Sequence, residues 1–204
     1  METARTFVAV EASAEVRAAV TRLIPLLQGR GESPSAGGKS APTEASKIKW
    51  VEPASLHFTL NFLGDVPVEN VAEVCQAVAR AAARHPRFET EVRGAGAFPT
   101  LQRPRTVWLG VSRGAEPMQL LQADLEAELK KLGYRPEGRD YTPHLTIGRV
   151  RMLARGDELP RKLAQERDFL AGLMAVAEVV VFSSQLSPAG SIYTPLGRAP
   201  LTVA

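Results

Sequence analysis

The residues of this chain best suited to chemistry come as a matched pair, His57-Phe58-Thr59-Leu60 and His144-Leu145-Thr146-Ile147. Both segments read as strands, in which residues i and i+2 point to one face and their neighbours to the other. His57 and Thr59 therefore share a face, as do His144 and Thr146. Phe58, Leu60, Leu145 and Ile147 point the opposite way and can anchor each strand in a core. Each segment offers one imidazole and one hydroxyl on a rigid backing, which is the placement a catalytic group needs. The chain has three histidines, and finding two of them in one four-residue context argues against two unrelated structural residues. The third, His85, lies in Ala83-Arg84-His85-Pro86 at an expected helix end, where a cation can meet the terminal carbonyls. It reads as structural.

Paired histidines can bind a metal or move protons. No His-x-His, His-x-x-His or Glu-x-x-His spacing supplies a third ligand. Asp140, four residues before His144, is a weak substitute. Metal-free acid–base catalysis is the better reading, with no cofactor. It suits a phosphodiester, whose hydrolysis needs a base to take a proton from water and an acid to protonate the leaving oxygen. Imidazole, with an ordinary pKa of about 6.5, can fill either role near neutral pH. The hydroxyls of Thr59 and Thr146 can donate to non-bridging phosphate oxygens, and Arg149 can pair with their charge. Acid and base must stand on opposite sides of phosphorus, a geometry two facing lobes supply.

The elements around the motifs are those of an α+β protein. Thr6–Val10 reads as a first strand, and Ser13 caps a helix with the stripe Val16, Val20, Leu23, Ile24 and Leu27. Residues 29–47 are rich in Gly, Ser, Pro and Ala and are expected to form a mobile loop. The first motif strand ends at Gly64 and leads, through Pro67 and Glu69, to a helix around Val71–Ala83 with the apolar run Val68, Val71, Ala72, Cys75, Val78, Ala79 and Ala82. Strands over 88–93 and 105–111 and a leucine-striped helix from Met118 to Leu132 precede the second motif strand. A charged helix over 158–170, a β-branched strand over 178–182 and, after a Pro188-Ala189-Gly190 turn, a last strand over 191–196 complete the chain. Each half of the chain thus places one His-x-Thr strand between two helices. The two histidines lie 87 residues apart in a chain of 204, so two similar lobes in one domain, 1–204, are the natural arrangement.

Composition adds limits. With 45% hydrophobic and 23% charged residues, the chain is an ordinary globular protein rather than a disordered or fibrous one. No apolar run approaches the roughly 18 residues of a membrane span, and the amino terminus lacks the apolar core of a signal peptide, so a cytoplasmic location is expected. The lone cysteine, Cys75, falls in a helical stripe and reads as a core thiol. The net charge of +3 resides in the second half, where Arg135, Arg139, Arg149, Arg151 and Arg155 crowd around the second motif. That crowding is compatible with an anionic substrate.

The paired motifs resemble the signature of the 2H phosphoesterase superfamily, and most closely the bacterial and archaeal RNA 2',3'-cyclic phosphodiesterases, also described as 2'-5' RNA ligases. The resemblance extends through Trp50-Val51, Phe62-Leu63-Gly64, Val107-Trp108-Leu109-Gly110, Pro143 to Arg149, and the ending with Ser184, Leu186, Pro188, Gly190, Tyr193 and Leu196. It implies a bilobal, pseudo-symmetric fold with two antiparallel sheets flanking a central cleft, helices outside, and both histidines in the cleft. It also implies opening of an RNA 2',3'-cyclic phosphate to a 2'-phosphate, with His57 as proton donor and His144 as acceptor; the residues alone offer the same groups on both strands. Partners would then be RNA ends carrying the cyclic phosphate, those of tRNA fragments among them, or cyclic nucleotides, acted on by a monomer. A 2'-5' RNA ligase, an enzyme for other cyclic nucleotides and a non-catalytic RNA-binding module stand as alternatives.

Overall fold

Short β-prone runs alternating with apolar stripes of helical period give nine strands and four helices in a computed structural model that describes residues 2–29, 46–135, 138, 140–187 and 190–203. In order they are β1 (Thr3–Glu11), α1 (Ala14–Leu27), β2 (Lys47–Trp50), β3 (His57–Pro67), α2 (Val71–Ala82), β4 (Phe88–Pro99) and β5 (Pro104–Val111). Then follow α3 (Ala115–Lys131), β6 (His144–Met152), α4 (Leu159–Gln165), β7 (Leu170–Val176), β8 (Glu178–Ser187) and β9 (Gly190–Pro200). Most of the expected 29–47 loop, Arg139 and the Pro188-Ala189 part of the last turn lie outside the described residues.

Helix α1 begins where expected, with the Ser13 hydroxyl accepting from the Val16 amide at 3.2 Å. It buries Val16, Ala19, Val20, Leu23 and Leu27. Helix α3 buries Met118, Leu121, Leu125 and Leu129 and gives way to Gly133 at φ 89°. Helix α2 forms where expected, but its buried face differs from the apolar run. Its buried face is Val74, Ala77, Val78, Ala81 and Ala82, whereas Val68 stands in a preceding 3₁₀ turn and is 47% exposed. Cys75 packs at the edge of the main core, and burial raises its pKa, so the thiol stays protonated.

Two strands escaped the sequence reading. β2 is four residues long, too short for an alternation to register. β7 begins at the last residue of the expected 158–170 helix, which stops at Gln165, and runs on through residues given no element; Leu170-Ala171-Gly172-Leu173-Met174 is built of helix-favouring residues apart from Gly172. Pairing with β4 from Phe88↔Val176 to Arg93↔Leu170 overrides that local preference.

The α+β class holds, and all named strand pairings are antiparallel. The strand order is β7-β4-β5-β6-β3-β1-β8-β9, with β2 also on β6. The two sheets are therefore four-strand halves, β7-β4-β5-β6 and β3-β1-β8-β9, and one Cα pair between β6 and β3 joins them. The half β7-β4-β5-β6 is one continuous stretch of chain, from β4 to β7, whereas β3-β1-β8-β9 joins strands from both ends, with β8 returning to pair β1. The main core lies on the helix side of the strands; a smaller cluster of Phe7, Ala9, Val180 and Phe182, with Tyr193 against it, lies on the other face.

Helices α2 and α3 are clamped by charge. Glu128, 6% exposed, accepts from Lys131 Nζ at 2.7 Å, Arg84 Nη1 at 3.2 Å and Arg80 Nε at 3.3 Å. His85 Nε2 bonds Asp124 at 2.9 Å across the same interface, so the third histidine ties two helices together. The Lys131 bond above all, with Arg80 and Arg84, holds the Glu128 carboxyl at about 2, well below its ordinary 4.5. A carboxyl depressed on folding adds stability that is present above its unfolded pKa and lost as pH falls through the folded one. Melting temperature should therefore fall as pH drops from 4.5 toward 2, and Glu128→Gln should lower it at pH 7 while flattening that loss. An unchanged acid profile in the variant would show that the clamp contributes nothing.

Candidate functional site at the seam between the half-sheets

The join between the half-sheets is the pair Phe58↔Leu145. Both side chains are fully buried in the main core. Their strand neighbours His57, Thr59, His144 and Thr146 are all half-buried and point away from that core. An antiparallel pair brings the residues next to it within reach of one another. One backbone pairing thus gathers all four predicted groups on one face.

Beyond that pair the strands separate. From Gly148 to Met152, β6 pairs with β2. Gly148 meets Trp50, and a Cβ on it would lie 2.8 Å from the Trp50 ring. The glycine in Thr146-Ile147-Gly148-Arg149 is therefore a packing requirement for bringing β2 in.

Each imidazole is anchored in the same way. His57 Nδ1 lies 2.7 Å from the Ser55 carbonyl, and His144 Nδ1 lies 2.8 Å from the Thr142 carbonyl. A carbonyl can only accept, so each Nδ1 donates to it, which makes Nε2 the basic nitrogen of the neutral ring. The residue two before each histidine was not singled out from sequence; the signal was the strand start itself, where backbone carbonyls are still unpaired.

Arg149 reaches the same face through an irregularity. Simple alternation from Thr146 would aim it at the core. Thr146 pairs with Trp108 and Gly148 with Val107, leaving Ile147 as an extra residue that shifts the phase. Ile147 and Gly148 are consequently both buried and Arg149 is exposed. Of the other clustered arginines, Arg151 follows on the exposed side of β6, Arg155 lies in the turn beyond it and Arg135 follows α3. Arg149 is the member of the cluster whose charge acts on His57.

The surroundings of the two imidazoles differ. His57 packs against Phe7 at 4.9 Å and edge-on against Tyr193 at 5.1 Å, with Phe182 at 6.4 Å. His144 meets Phe98 edge-on at 5.1 Å, and Phe98 in turn lies 5.1 Å from Trp108. These aromatic walls were missed, because they come from β1, β4, β8 and β9 and share no local pattern with the motifs. Glu11 sits opposite His57 in the β1–β3 ladder, whereas Gly110 sits opposite His144. Arg198 braces Glu11 at 2.9 Å and also pairs with Glu178. Burial pushes the His57 pKa below its ordinary 6.5; the Ser55 hydrogen bond raises it, Arg149 lowers it and Glu11 raises it. His57 is thus favoured in its neutral form.

The strand order and the paired motif define a two-histidine phosphoesterase fold. The chain belongs to the 2'-5' RNA ligase superfamily, whose family model matches residues 34–186. It is 38% identical to the RNA 2',3'-cyclic phosphodiesterase of Methanothermobacter thermautotrophicus over 94% of this chain and 96% of that one. It is also 34% identical to the enzyme of that name in Archaeoglobus fulgidus, over 94% and 97%. Among solved structures, TT0787 of Thermus thermophilus superposes with a TM-score of 0.73 at 26% identity, covering 98% of each chain. Escherichia coli LigT complexed with 3'-AMP superposes with a TM-score of 0.70 at 26% identity, covering 98% of this chain and 99% of that one. No helix among the described residues is long and apolar enough to cross a membrane.

The balance at His57 is measurable by NMR. Its imidazole should titrate below 6.5 in the ligand-free protein, and Arg149→Gln should move that titration upward without restoring 6.5, because burial is the larger cause. No movement on removing the arginine would place Arg149 out of reach of the site.

Proposed function

We propose that the protein hydrolyses 2',3'-cyclic phosphate ends of RNA to 2'-phosphates by acid–base catalysis from His57 and His144, without a metal. The observation that carries this reading is the gathering of two identically anchored imidazoles and two threonines around Phe58↔Leu145. The names of the curated relatives supply the reaction. Water attacks phosphorus as His144 Nε2 takes its proton. The bond from phosphorus to the 3' oxygen breaks, and His57 Nε2 delivers a proton to that oxygen. The products are a 2'-phosphate and a 3'-hydroxyl. Thr59 and Thr146 donate to the non-bridging oxygens, and Arg149 balances their charge.

A neutral His57 must be protonated before it can act as the acid. The cyclic phosphodiester is an anion and offsets the Arg149 charge that disfavours the imidazolium, so binding loads the proton that catalysis uses. The high-pH limb of kcat/KM, which reports the free enzyme, should accordingly lie below 6.5, and that of kcat should lie higher. Equal limbs for both parameters would remove this account of His57. With a 5'-hydroxyl in place of water as the nucleophile on the cyclic phosphate, and the 3' oxygen again the leaving group, the same groups serve 2'-5' ligation, the reaction for which the superfamily is named.

Turnover of a 2',3'-cyclic nucleotide or RNA end should persist in excess chelator. His57→Ala and His144→Ala should each reduce kcat by about 10²–10⁴, and Thr59→Val or Thr146→Val by roughly 10²–10³. Loss of turnover on chelation would overturn the metal-free mechanism, and turnover surviving both histidine substitutions would remove the pair from the chemistry.

A further inference from the structure

The two motif strands are alike well beyond the motif. Over His57–Leu63 and His144–Val150 the burial sequence is the same: half-buried, buried, half-buried, two buried, exposed, half-buried. Each strand also carries an extra residue directly after its threonine. Ile147 is the one in β6, and Leu60 is the one in β3, between Ala9↔Thr59 and Val8↔Asn61. The residue five beyond each histidine is therefore returned to the histidine's face. In β6 that residue is Arg149, and in β3 it is Phe62.

The position equivalent to Arg149 is nevertheless not without a cation. The guanidinium carbon of Arg5 sits 5.1 Å from the centre of the Phe62 ring, which is 41% exposed. Phe62 pairs with Phe7 across the ladder, and Phe7 packs against His57. Arg5, two residues before Phe7 on β1, lies on that same face. It is exposed and makes no ion pair with a described residue. Stacking on a ring fixes the plane of a guanidinium while leaving its N–H edge open for two parallel bonds to a phosphate.

The position suits a longer substrate than the reacting group itself. Four residues of strand at about 3.3 Å each put Phe62 about 13 Å from the Phe58↔Leu145 pair, on the side away from Arg149. RNA with a cyclic phosphate at its 3' end leaves the site by one strand only. We propose that Arg5, stacked on Phe62, binds a backbone phosphate of that departing strand, so that the enzyme favours oligonucleotide ends over cyclic mononucleotides. The proposal deepens the RNA phosphodiesterase reading and rests on it.

The test compares one 2',3'-cyclic mononucleotide with an oligoribonucleotide carrying the same cyclic end, using wild type, Arg5→Gln, Arg5→Lys and Phe62→Leu. Arg5→Gln should lower kcat/KM about tenfold more on the oligonucleotide than on the mononucleotide, acting through KM, with the salt slope of oligonucleotide kcat/KM reduced by about one. Arg5→Lys should retain part of the advantage, and Phe62→Leu should lose part of it. Equal losses on both substrates, or none on the oligonucleotide, would overturn the subsite. Should wild type open neither substrate, the phosphodiesterase reading itself fails. Fluorescence anisotropy with a 3'-phosphate-ended RNA then decides the subsite separately: an Arg5→Gln affinity about tenfold weaker supports it, and an unchanged affinity rejects it.

Discussion

The site depends on one backbone contact, the antiparallel meeting of β3 and β6 at Phe58↔Leu145. The two buried side chains hold the strands together from the core side, and the same pairing sets His57, Thr59, His144 and Thr146 side by side on the other face. Contact at only one position matters as much as contact itself. β2 occupies β6 from Gly148 onward, so the half-sheets part and the four groups stand where the sheet opens. Trp50 against Gly148 makes that parting possible, because a β-carbon there would strike the ring.

The chain also ties the half-sheets together. The stretch from β4 to β7 forms one half and is inserted between β3 and β8 of the other, so the chain passes between the halves twice, and β2 reaches across to pair β6. The α2–α3 interface, with Glu128 gripped by three cations, adds a bond outside the sheet between helices of the two halves.

Within this near-symmetry the environments of the two imidazoles differ. Both Nδ1 atoms are committed to backbone carbonyls, so the neutral rings share one tautomer. Glu11 faces His57 where Gly110 faces His144, and Phe62 with Arg5 occupies the position that Arg149 fills on the other strand. Charge and burial therefore give unlike surroundings to residues that the motif makes equivalent. Burial and Arg149 both lower the His57 pKa and favour its neutral form.

The amino-acid sequence by itself determined the parts of this protein that depend on near neighbours. Alternation placed each histidine with its threonine on one face, Ser13 started α1, and the leucine stripe and Gly133 bounded α3. The resemblance of the motifs pointed to the superfamily that the comparisons show. Tertiary structure decided whatever rests on register between distant segments. Leu60 and Ile147 become extra residues only against β1 and β5, and that shift turns Arg149 and Phe62 toward the site. β7 is a strand because β4 offers it an edge, against the preference of its own residues. The aromatic walls and the pKa of His57 belong to the same category, since burial and charge come from strands far apart in the chain. The matched histidines were legible from the first because periodicity is local; their unequal environments were not, because each is assembled by pairing.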